Sequence, residues 1–169
     1  MRKNIITTER LTLHPFAECD EQRMIEIFCN EQIKQTYMIP DFQDMEQAKA
    51  LFRRMMELSK SDDHFTYGIY LGGELIGFIN DCEMSDTDIE LGYVILPEHQ
   101  GKGYATEAVR AAIHELFRIG IKRVTAGFFE ENHASQRVME KCGMHRIEQE
   151  DDIEYRGAVH HCLYYGIHS

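Results

Sequence analysis

A glycine-containing loop between a strand-like segment and a helix-like segment is the part of this chain best suited to chemistry. The loop reads QGKGYA over residues 100–105, and Pro97 ends the strand before it. Gly101 and Gly103 allow a tight backbone turn, and a helix that begins near Tyr104 leaves its first N–H groups without partners. Free N–H groups at the positive end of a helix attract anions. The pattern therefore predicts a site for a phosphate-containing ligand, and a pyrophosphate in particular.

Two widespread phosphate-binding motifs do not fit this loop. A P-loop requires GxxxxGK[ST], but the residue five positions before Gly101-Lys102 is Leu96, and Gly103 follows the lysine. A dinucleotide-binding GxGxxG requires a glycine where Thr106 stands. That motif also requires an acidic residue about 20 positions further on, and the chain reads KRVT there. Both nucleotide-binding interpretations are therefore disfavoured.

The remaining pattern is Gln-x-x-Gly-x-Ala, and it resembles the acyl-CoA pyrophosphate loop of the GNAT superfamily of N-acetyltransferases. The surrounding segment ELGYVILPEHQGKGYATEA is similar to the RimJ/RimL-type branch of that superfamily. The resemblance implies acetyl-CoA as co-substrate, with its pyrophosphate on loop amides and its pantetheine arm along the fourth strand, whose backbone polarises the acetyl carbonyl. The residues that the resemblance assigns to the cofactor are Val94, Ile95, Gln100, Gly101, Lys102, Gly103, Tyr104, Ala105, Thr106 and Asn132.

Transfer of an acetyl group from a thioester to an amine also needs a base for the amine and an acid for the departing thiolate. The resemblance implies that Glu90, on the fourth strand, is the base, usually through water; a solvated or salt-bridged strand residue is the alternative. It also implies that Ser135, in the pattern Asn-x-x-Ser that begins at Asn132, is the acid. Helix capping explains the same two residues. Many family members carry a second, tyrosine acid four positions later, where this chain has Met139, which leaves water or another tyrosine as the donor.

Hydrophobic periodicity predicts the elements that position these residues. Strands are expected at residues 8–16, in a meander over 64–96 with a Gly72-Gly73 hairpin turn, and at 123–129, 145–155 and 158–167. Helices are expected from a cap at Asp20 to about Asn30, from a cap at Asp44 to about Ser59, from Tyr104 to Gly120, and from a cap at Asn132 to Gly143. The order β-α-α-β-β-β-α-β-α-β-β predicts an α/β (α+β) chain. The resemblance implies the GNAT fold, a mixed, mostly antiparallel seven-stranded sheet flanked by about four helices, whose fourth and fifth strands splay.

Composition narrows the classes of function. The 169 residues are long enough for one domain with a sizeable core, so a single domain over 1–169 is expected. The net charge of −11 argues against nucleic-acid and anionic-membrane partners. Residues 97–146 carry 8 Lys and Arg against 6 Asp and Glu, whereas the rest of the chain carries 10 against 23. The half that contains the loop is therefore the half that tolerates phosphates, and the acidic remainder favours a cationic acceptor.

Cysteine and histidine spacing gives no sign of a metal site or a disulfide framework. The five cysteines are scattered and odd in number, without a CxxC pair, and the nine histidines include no HExxH. No N-terminal apolar block marks a signal peptide. Reduced thiols and a cytoplasmic location are therefore expected, with no metal, and the resemblance is compatible with a homodimer.

These observations lead to one principal function and two alternatives. The principal hypothesis is an acetyl-CoA-dependent N-acetyltransferase in which a primary amine, from a small cationic molecule or a protein N-terminus, attacks the thioester directly. A catalytically silent acyl-CoA-binding or regulatory domain is the first alternative. An interaction module whose glycine loop binds nothing is the second. Asp81, Glu83, Tyr155, Tyr164 and Tyr165 are further candidates for an acceptor cleft, although all five suit an ordinary sheet.

Overall fold

The computed structural model describes residues 1–169 and contains one eight-stranded sheet with helices on both faces. The strands are β1 (Ile6–Thr7), β2 (Leu11–His14), β3 (Tyr67–Leu71), β4 (Glu74–Met84), β5 (Asp88–Ile95), β6 (Arg123–Phe129), β7 (His145–Tyr155) and β8 (Ala158–His168). The helices are α1 (Glu21–Phe28), α2 (Glu31–Lys34), α3 (Met45–Lys60), α4 (Tyr104–Arg118) and α5 (His133–Lys141). The strand order is β1-β2-β3-β4-β5-β6-β8-β7, and every neighbouring pair is antiparallel except β5 and β6. The predicted mixed α/β fold is confirmed.

The sheet has one strand more than expected because residues just before the first predicted strand form β1. The amide of Thr8 donates to the carbonyl of Leu11 at 2.9 Å, and the amide of Leu11 donates back to Thr8 Oγ1 at 3.0 Å. This tight turn folds β1 onto β2 as an antiparallel pair. The strand predicted over residues 8–16 is confirmed only at Leu11–His14, since the side chain of Thr8 forms the turn and competes there with the sheet ladder.

The chain also has one helix more than expected, in a segment that was predicted to be a polar connection. Asn30 Oδ1 accepts the amide hydrogen of Ile33 at 3.0 Å, which starts the short α2 directly after α1. Asp20 does not cap α1 with its side chain. Its carboxylate accepts instead from the amide of Ala17 and the hydroxyl of Tyr70.

Two apolar clusters hold the helices against the sheet, one on each face. The larger cluster joins α4 and Met139 of α5 to one face, and the smaller joins α1 and α3 to the other. Alternation along β5 divides its side chains between them: Leu91 and Ile95 belong to the first cluster and Val94 to the second. None of the helices is long and apolar enough to cross a membrane.

The sheet opens in its middle, between the two parallel strands. β5 and β6 pair only at Asp88↔Arg123, Ile89↔Val124 and Glu90↔Thr125. Beyond Glu90, β5 continues to pair with β4, and β6 continues to pair with β8. The splay that the resemblance implied is therefore present, and it exposes strand edges from both halves of the sheet at one place.

Candidate active site

A cleft of about 470 Å³ occupies the opening between β5 and β6. Its walls are the glycine loop, the second half of β5, the start of α5, and the segment from α2 to Tyr37. The predicted site residues that line it are Val94, Ile95, Gln100, Gly101, Gly103, Tyr104, Ala105, Thr106, Asn132 and Ser135. Lys102 and Glu90 are not part of the lining. The structure thus brings together most of the candidates chosen from the sequence.

The glycine loop presents a row of unpaired backbone amides to this cleft. A 3-10 turn over Pro97–His99 leads into it, and Gly101 and Gly103 have φ angles of +73° and +84°. No amide from residue 101 to residue 106 donates a hydrogen bond within the protein; the first that does is the amide of Glu107, which donates to the carbonyl of Gly103. Consecutive free N–H groups at the start of α4 form an anion-binding surface.

Gln100 has a different role from the other loop residues, because it braces the loop. Its amide donates to the carbonyl of Pro97 at 3.2 Å, so that amide is not free for an anion. Its side-chain Nε2 donates to the carbonyl of Ile95 at 2.8 Å. Gln100 therefore fixes the distance between the loop and the end of β5.

Hydrogen-bond alternation identifies which β5 residues turn their backbone towards the cleft. The amide of Leu96 donates to the carbonyl of Ile76 at 2.8 Å, so the groups of Leu96 face β4. The groups of Ile95 face the other way, towards Gln100, and the same alternation gives Tyr93 the direction of Ile95. By this alternation the backbone of Val94 points to β4 and that of Tyr93 to the cleft, although Val94 also lines the cleft.

A salt-bridged cluster from the N-terminal strands supports the loop from outside. Arg10 Nε contacts Glu107 Oε2 at 2.8 Å, and Arg10 Nη1 donates to the carbonyl of Lys102 at 2.9 Å. The Arg10 guanidinium lies 4.6 Å from the centre of the Tyr104 ring. Burial raises the pKa of Glu107, but hydrogen bonds from Thr8 and Arg10 outweigh burial and lower it overall. Arg10 could not be predicted as part of the site, because nothing in the local sequence connects it to a loop so far along the chain.

Lys102 points away from the cleft. Its Nζ donates to the carbonyl of Glu98 at 3.1 Å on the exposed side of the loop. The lysine therefore contributes charge near the loop but no contact with the cleft. Arg137 and Lys141 of α5 are the cationic residues that line the cleft, and both are exposed.

Asn132 and Ser135 stand at the start of α5, as predicted. Asn132 Oδ1 accepts the amide hydrogen of Ser135 at 3.2 Å, so the capping role of Asn132 is realised. Ser135 Oγ lies 2.7 Å from the hydroxyl oxygen of Tyr93. Burial raises the pKa of Tyr93, and the hydrogen bond with Ser135 opposes that rise in part. Met139 is fully buried in the core.

Glu90 lies at the rim of the cleft, two residues before the cleft-lining Gly92 on β5. The carboxylate is half-buried and forms no ion pair or hydrogen bond with a cation. Burial raises its pKa, and the nearby carboxylates Glu83 and Asp151 raise it further. A carboxylate with a raised pKa is a better proton acceptor near neutral pH than an ordinary glutamate.

Two glycines allow tyrosine rings to approach the sheet beside Glu90. A Cβ on Gly92 would lie 2.7 Å from the hydroxyl oxygen of Tyr37, and a Cβ on Gly127 would lie 2.6 Å from Tyr164 Cε1. The hydroxyl of Tyr37 donates to Asn80 Oδ1 at 2.8 Å. Of the two rings, only that of Tyr37 lines the cleft.

Two of the weaker candidates for the acceptor cleft, Asp81 and Tyr155, form hydrogen bonds within the protein. Asp81 is fully engaged by the amide of Phe65, the hydroxyl of Thr66 and the ring of His64. Tyr155 binds the backbone of Ile39 and Tyr37, which holds the α2–α3 connection over the cleft. Residues 1–169 bring together no group of His, Cys, Asp and Glu side chains that could hold a metal ion.

Comparison with protein families identifies a match over most of the chain. The model of the acetyltransferase (GNAT) domain matches residues 10–145. The uncharacterized N-acetyltransferase YnaD of Bacillus subtilis is 32% identical over 145 residues, which cover 83% of this chain and 82% of YnaD.

Solved structures share the fold along nearly the whole chain. An acetyltransferase of the GNAT family from Bacillus anthracis superposes with a TM-score of 0.81 at 27% identity, covering 97% of this chain and 98% of that one. RimL, a ribosomal L7/L12 alpha-N-protein acetyltransferase in complex with coenzyme A, superposes with a TM-score of 0.84 at 18% identity, covering 97% of each chain.

Proposed function

This chain belongs to the GNAT family of acetyltransferases, and from that membership we propose that it transfers the acetyl group of acetyl-CoA to a primary amine by direct attack on the thioester. The observation that carries the proposal is the row of free amides from residue 101 to residue 106 beside the opening between β5 and β6. Together they offer a diphosphate site and an adjoining strand edge within one cleft.

The residues present fit acetyl-CoA by their chemistry. The loop amides would take the diphosphate, and the cleft-facing backbone groups of Tyr93 and the amide of Ile95 would pair with the pantetheine arm and polarise the acetyl carbonyl. Bound acetyl-CoA supplies the activated acyl group. Glu90 accepts the amine proton through water, and Ser135 faces the side of the cleft where the sulfur would leave.

The acceptor in this proposal is an amine that reaches the cleft in its cationic form. Glu83, Glu90 and Asp151 lie close enough to influence one another's charge, and none of them forms an ion pair within the protein. A cationic acceptor would relieve this repulsion and would be attracted by the acidic part of the chain. Small polyamines, aminoglycoside-like compounds and the N-terminus of a basic protein all meet this requirement.

A panel of acceptors tests both the activity and the charge preference. Matched pairs of peptides with free N-termini, one rich in lysine and one rich in glutamate, are compared with spermidine and an aminoglycoside, and released CoA is measured with a thiol reagent. N-acetylated, lysine-free peptides serve as blanks. We expect turnover, with lower KM values for the cationic acceptors and a preference that weakens as salt is added. A preference for the acidic peptide would contradict the cationic acceptor.

The same experiment separates the enzyme from a silent acyl-CoA-binding domain. Calorimetry with acetyl-CoA would give binding in both cases, but only the enzyme would release CoA in the presence of an amine. Binding without turnover for every acceptor would favour the silent domain. Absence of binding would exclude both.

Arg10→Gln is expected to weaken acetyl-CoA binding about three- to tenfold, because it loosens the loop without removing an amide. The matched control is Arg123→Gln, whose side chain is 46% exposed against 41% for Arg10 and whose ion pair with Asp88 lies away from the loop. Calorimetry on the two variants measures the difference. An equal loss of affinity in both variants would show that the brace has no specific effect on the loop.

A further inference from the structure

Tyr93 and Ser135 form a pair of hydroxyl groups that connects β5 to α5 across the cleft. Their oxygen atoms lie 2.7 Å apart, and both residues line the cleft. The Tyr93 ring packs against the larger apolar cluster, which holds the phenol in place. The pair therefore has a fixed position on the side of β5 that carries α5.

Other side chains around the cleft are less suited to give a proton there. The hydroxyl of Tyr37 donates to Asn80, and that of Thr36 donates to the carbonyl of Ile33. Burial raises the pKa of the Cys142 thiol to about 11, and its sulfur contacts the carbonyl of Thr106. Met139 of α5 is buried in the core and offers no hydroxyl.

We propose that Tyr93 is a positioning residue that acts through Ser135: it holds the Ser135 hydroxyl and replaces the proton that Ser135 gives to the departing thiolate. This inference rests on the proposed acetyl transfer. Position 139 of α5 carries a methionine and provides no hydroxyl. The Tyr93 phenol, on strand β5, takes the place of that missing hydroxyl. Because Tyr93 and Ser135 are held by different elements, the relay exists only where β5 and α5 approach each other.

The proton balance of this step closes within the named residues and the solvent. The C–N bond forms as the amine attacks the carbonyl carbon, and the C–S bond breaks with its electron pair moving to sulfur. Ser135 gives its hydroxyl proton to sulfur, and Tyr93 replaces that proton on Ser135. The cationic amine loses one proton before attack and a second as the C–N bond forms; Glu90 takes these through water and releases them to solvent, and solvent returns one proton to Tyr93. The net change is ammonium plus acetyl-CoA to N-acetyl product plus CoA and one proton.

Burial suits the phenol to this role. A hydroxyl whose pKa is raised stays neutral, and so able to donate, across the whole working range of pH. In the same buried place a thiolate would be poorly solvated, which increases its demand for a hydrogen-bond donor. A fixed donor therefore favours the state in which the C–S bond is breaking.

The test compares two tyrosines that connect the sheet to α5. Tyr93→Phe removes the hydroxyl and keeps the ring. Tyr165→Phe is the matched control, because the hydroxyl of Tyr165 donates to Glu140 of α5 at 3.2 Å but Tyr165 does not line the cleft. We expect Tyr93→Phe to lower kcat roughly tenfold to 10²-fold with little change in the KM for acetyl-CoA, the lower end of what a positioned acid contributes. Tyr165→Phe should leave both constants near their wild-type values.

A binding measurement provides a readout that does not depend on activity. Calorimetry with CoA and with desulfo-CoA, which lacks the thiol, measures the contact of the relay with sulfur. Wild type and Tyr165→Phe should bind CoA about two- to tenfold more tightly than desulfo-CoA. Ser135→Ala, which removes the group that contacts sulfur, should bind the two compounds equally, and Tyr93→Phe should prefer CoA less than wild type does.

Ser135→Ala keeps the fold measurable should the tyrosine variant be unstable, since alanine suits a helix and the cap uses the backbone amide of Ser135. Its kcat should fall as for Tyr93→Phe, and the double variant should be no worse than the poorer single variant. Losses that multiply in the double variant, an unchanged kcat in Tyr93→Phe, or a preference of Tyr93→Phe for CoA as large as that of wild type would each overturn the relay. Wild type that binds neither compound would overturn the proposed function itself.

Discussion

Replacing Gly103 with valine is expected to raise the Kd for acetyl-CoA by about 10²-fold or more. Gly103 has a φ of +84° directly before α4, a conformation that costs a β-branched residue about 1–3 kcal/mol. A Cβ at this position would also lie 3.2 Å from Arg10 Nη2, in the group that braces the loop. Relief of this strain must rotate the backbone and so misdirect the free amides of residues 101–106. Since each 1.4 kcal/mol is a factor of ten, the loss of two or three aligned amides accounts for the expected change.

Gly120→Val controls for the general cost of a side chain at positive φ. Gly120 has a φ of +106° just after α4, and a Cβ there would meet nothing within 4 Å. Both variants should melt at lower temperature than wild type, but only Gly103→Val should lose affinity by calorimetry and lose the rise in melting temperature that acetyl-CoA gives. A Gly103→Val protein that binds acetyl-CoA as tightly as Gly120→Val would contradict the assignment of the loop as the diphosphate site.

The elements that could be predicted from the sequence are those fixed by local chemistry. Asp44 accepts the amide hydrogen of Gln47 at 3.0 Å, as the capping pattern indicated, and α3 begins at the next residue. Gly72 and Gly73 both have positive φ in the hairpin turn between β3 and β4. Such signals need only a few neighbouring residues, so a single sequence contains them in full.

The features that were missed depend on contacts between distant segments or on competition between local alternatives. Arg10 reaches the glycine loop only after β1 and β2 have folded beside α4, and no spacing in the sequence encodes that proximity. The break between β1 and β2 depends on whether Thr8 prefers its own turn or the sheet ladder, and both preferences suit a threonine. Tertiary context decides such cases.

The candidate site shows the same division. The loop was recognisable because free amides follow from the two glycines and a helix start. On β5, Val94 and Ile95 both line the cleft, but neighbouring residues of a strand turn their backbone groups to opposite edges. Since Gln100 fixes the carbonyl of Ile95 on the cleft side, Tyr93 follows as the second cleft-facing residue. The partner of its side chain, Ser135, could not be identified before β5 and α5 were placed together.

Glu90→Gln is expected to lower kcat by about 10²- to 10⁴-fold, the range of a positioned general base, while the Kd for acetyl-CoA stays within about twofold. The amide has nearly the shape of the carboxylate but cannot accept a proton. In wild type the base acts when ionised, so its contribution is present above the pKa of Glu90 and is lost as the pH falls through it. Because burial, Glu83 and Asp151 raise that pKa, the loss begins at a higher pH than for an ordinary glutamate near 4.3.

Glu83→Gln tests why activity falls at low pH, the acid limb of the kcat profile. The substitution removes one of the carboxylates that raise the pKa of Glu90 and leaves Glu90 itself unchanged. The acid limb of the profile of kcat against pH should move to lower pH. The shift should be partial, because burial is the largest cause of the raised pKa of Glu90. The acceptor amine titrates identically with every variant, so differences between the profiles report on Glu90 alone. An acid limb that is unchanged in Glu83→Gln and still present in Glu90→Gln would assign it to the acceptor or to another group, and would leave Glu90 a residue of the cleft rim. If the acid limb moves in Glu83→Gln and disappears in Glu90→Gln, then Glu90 is the base and its repulsion by Glu83 helps to set the pH at which activity is lost.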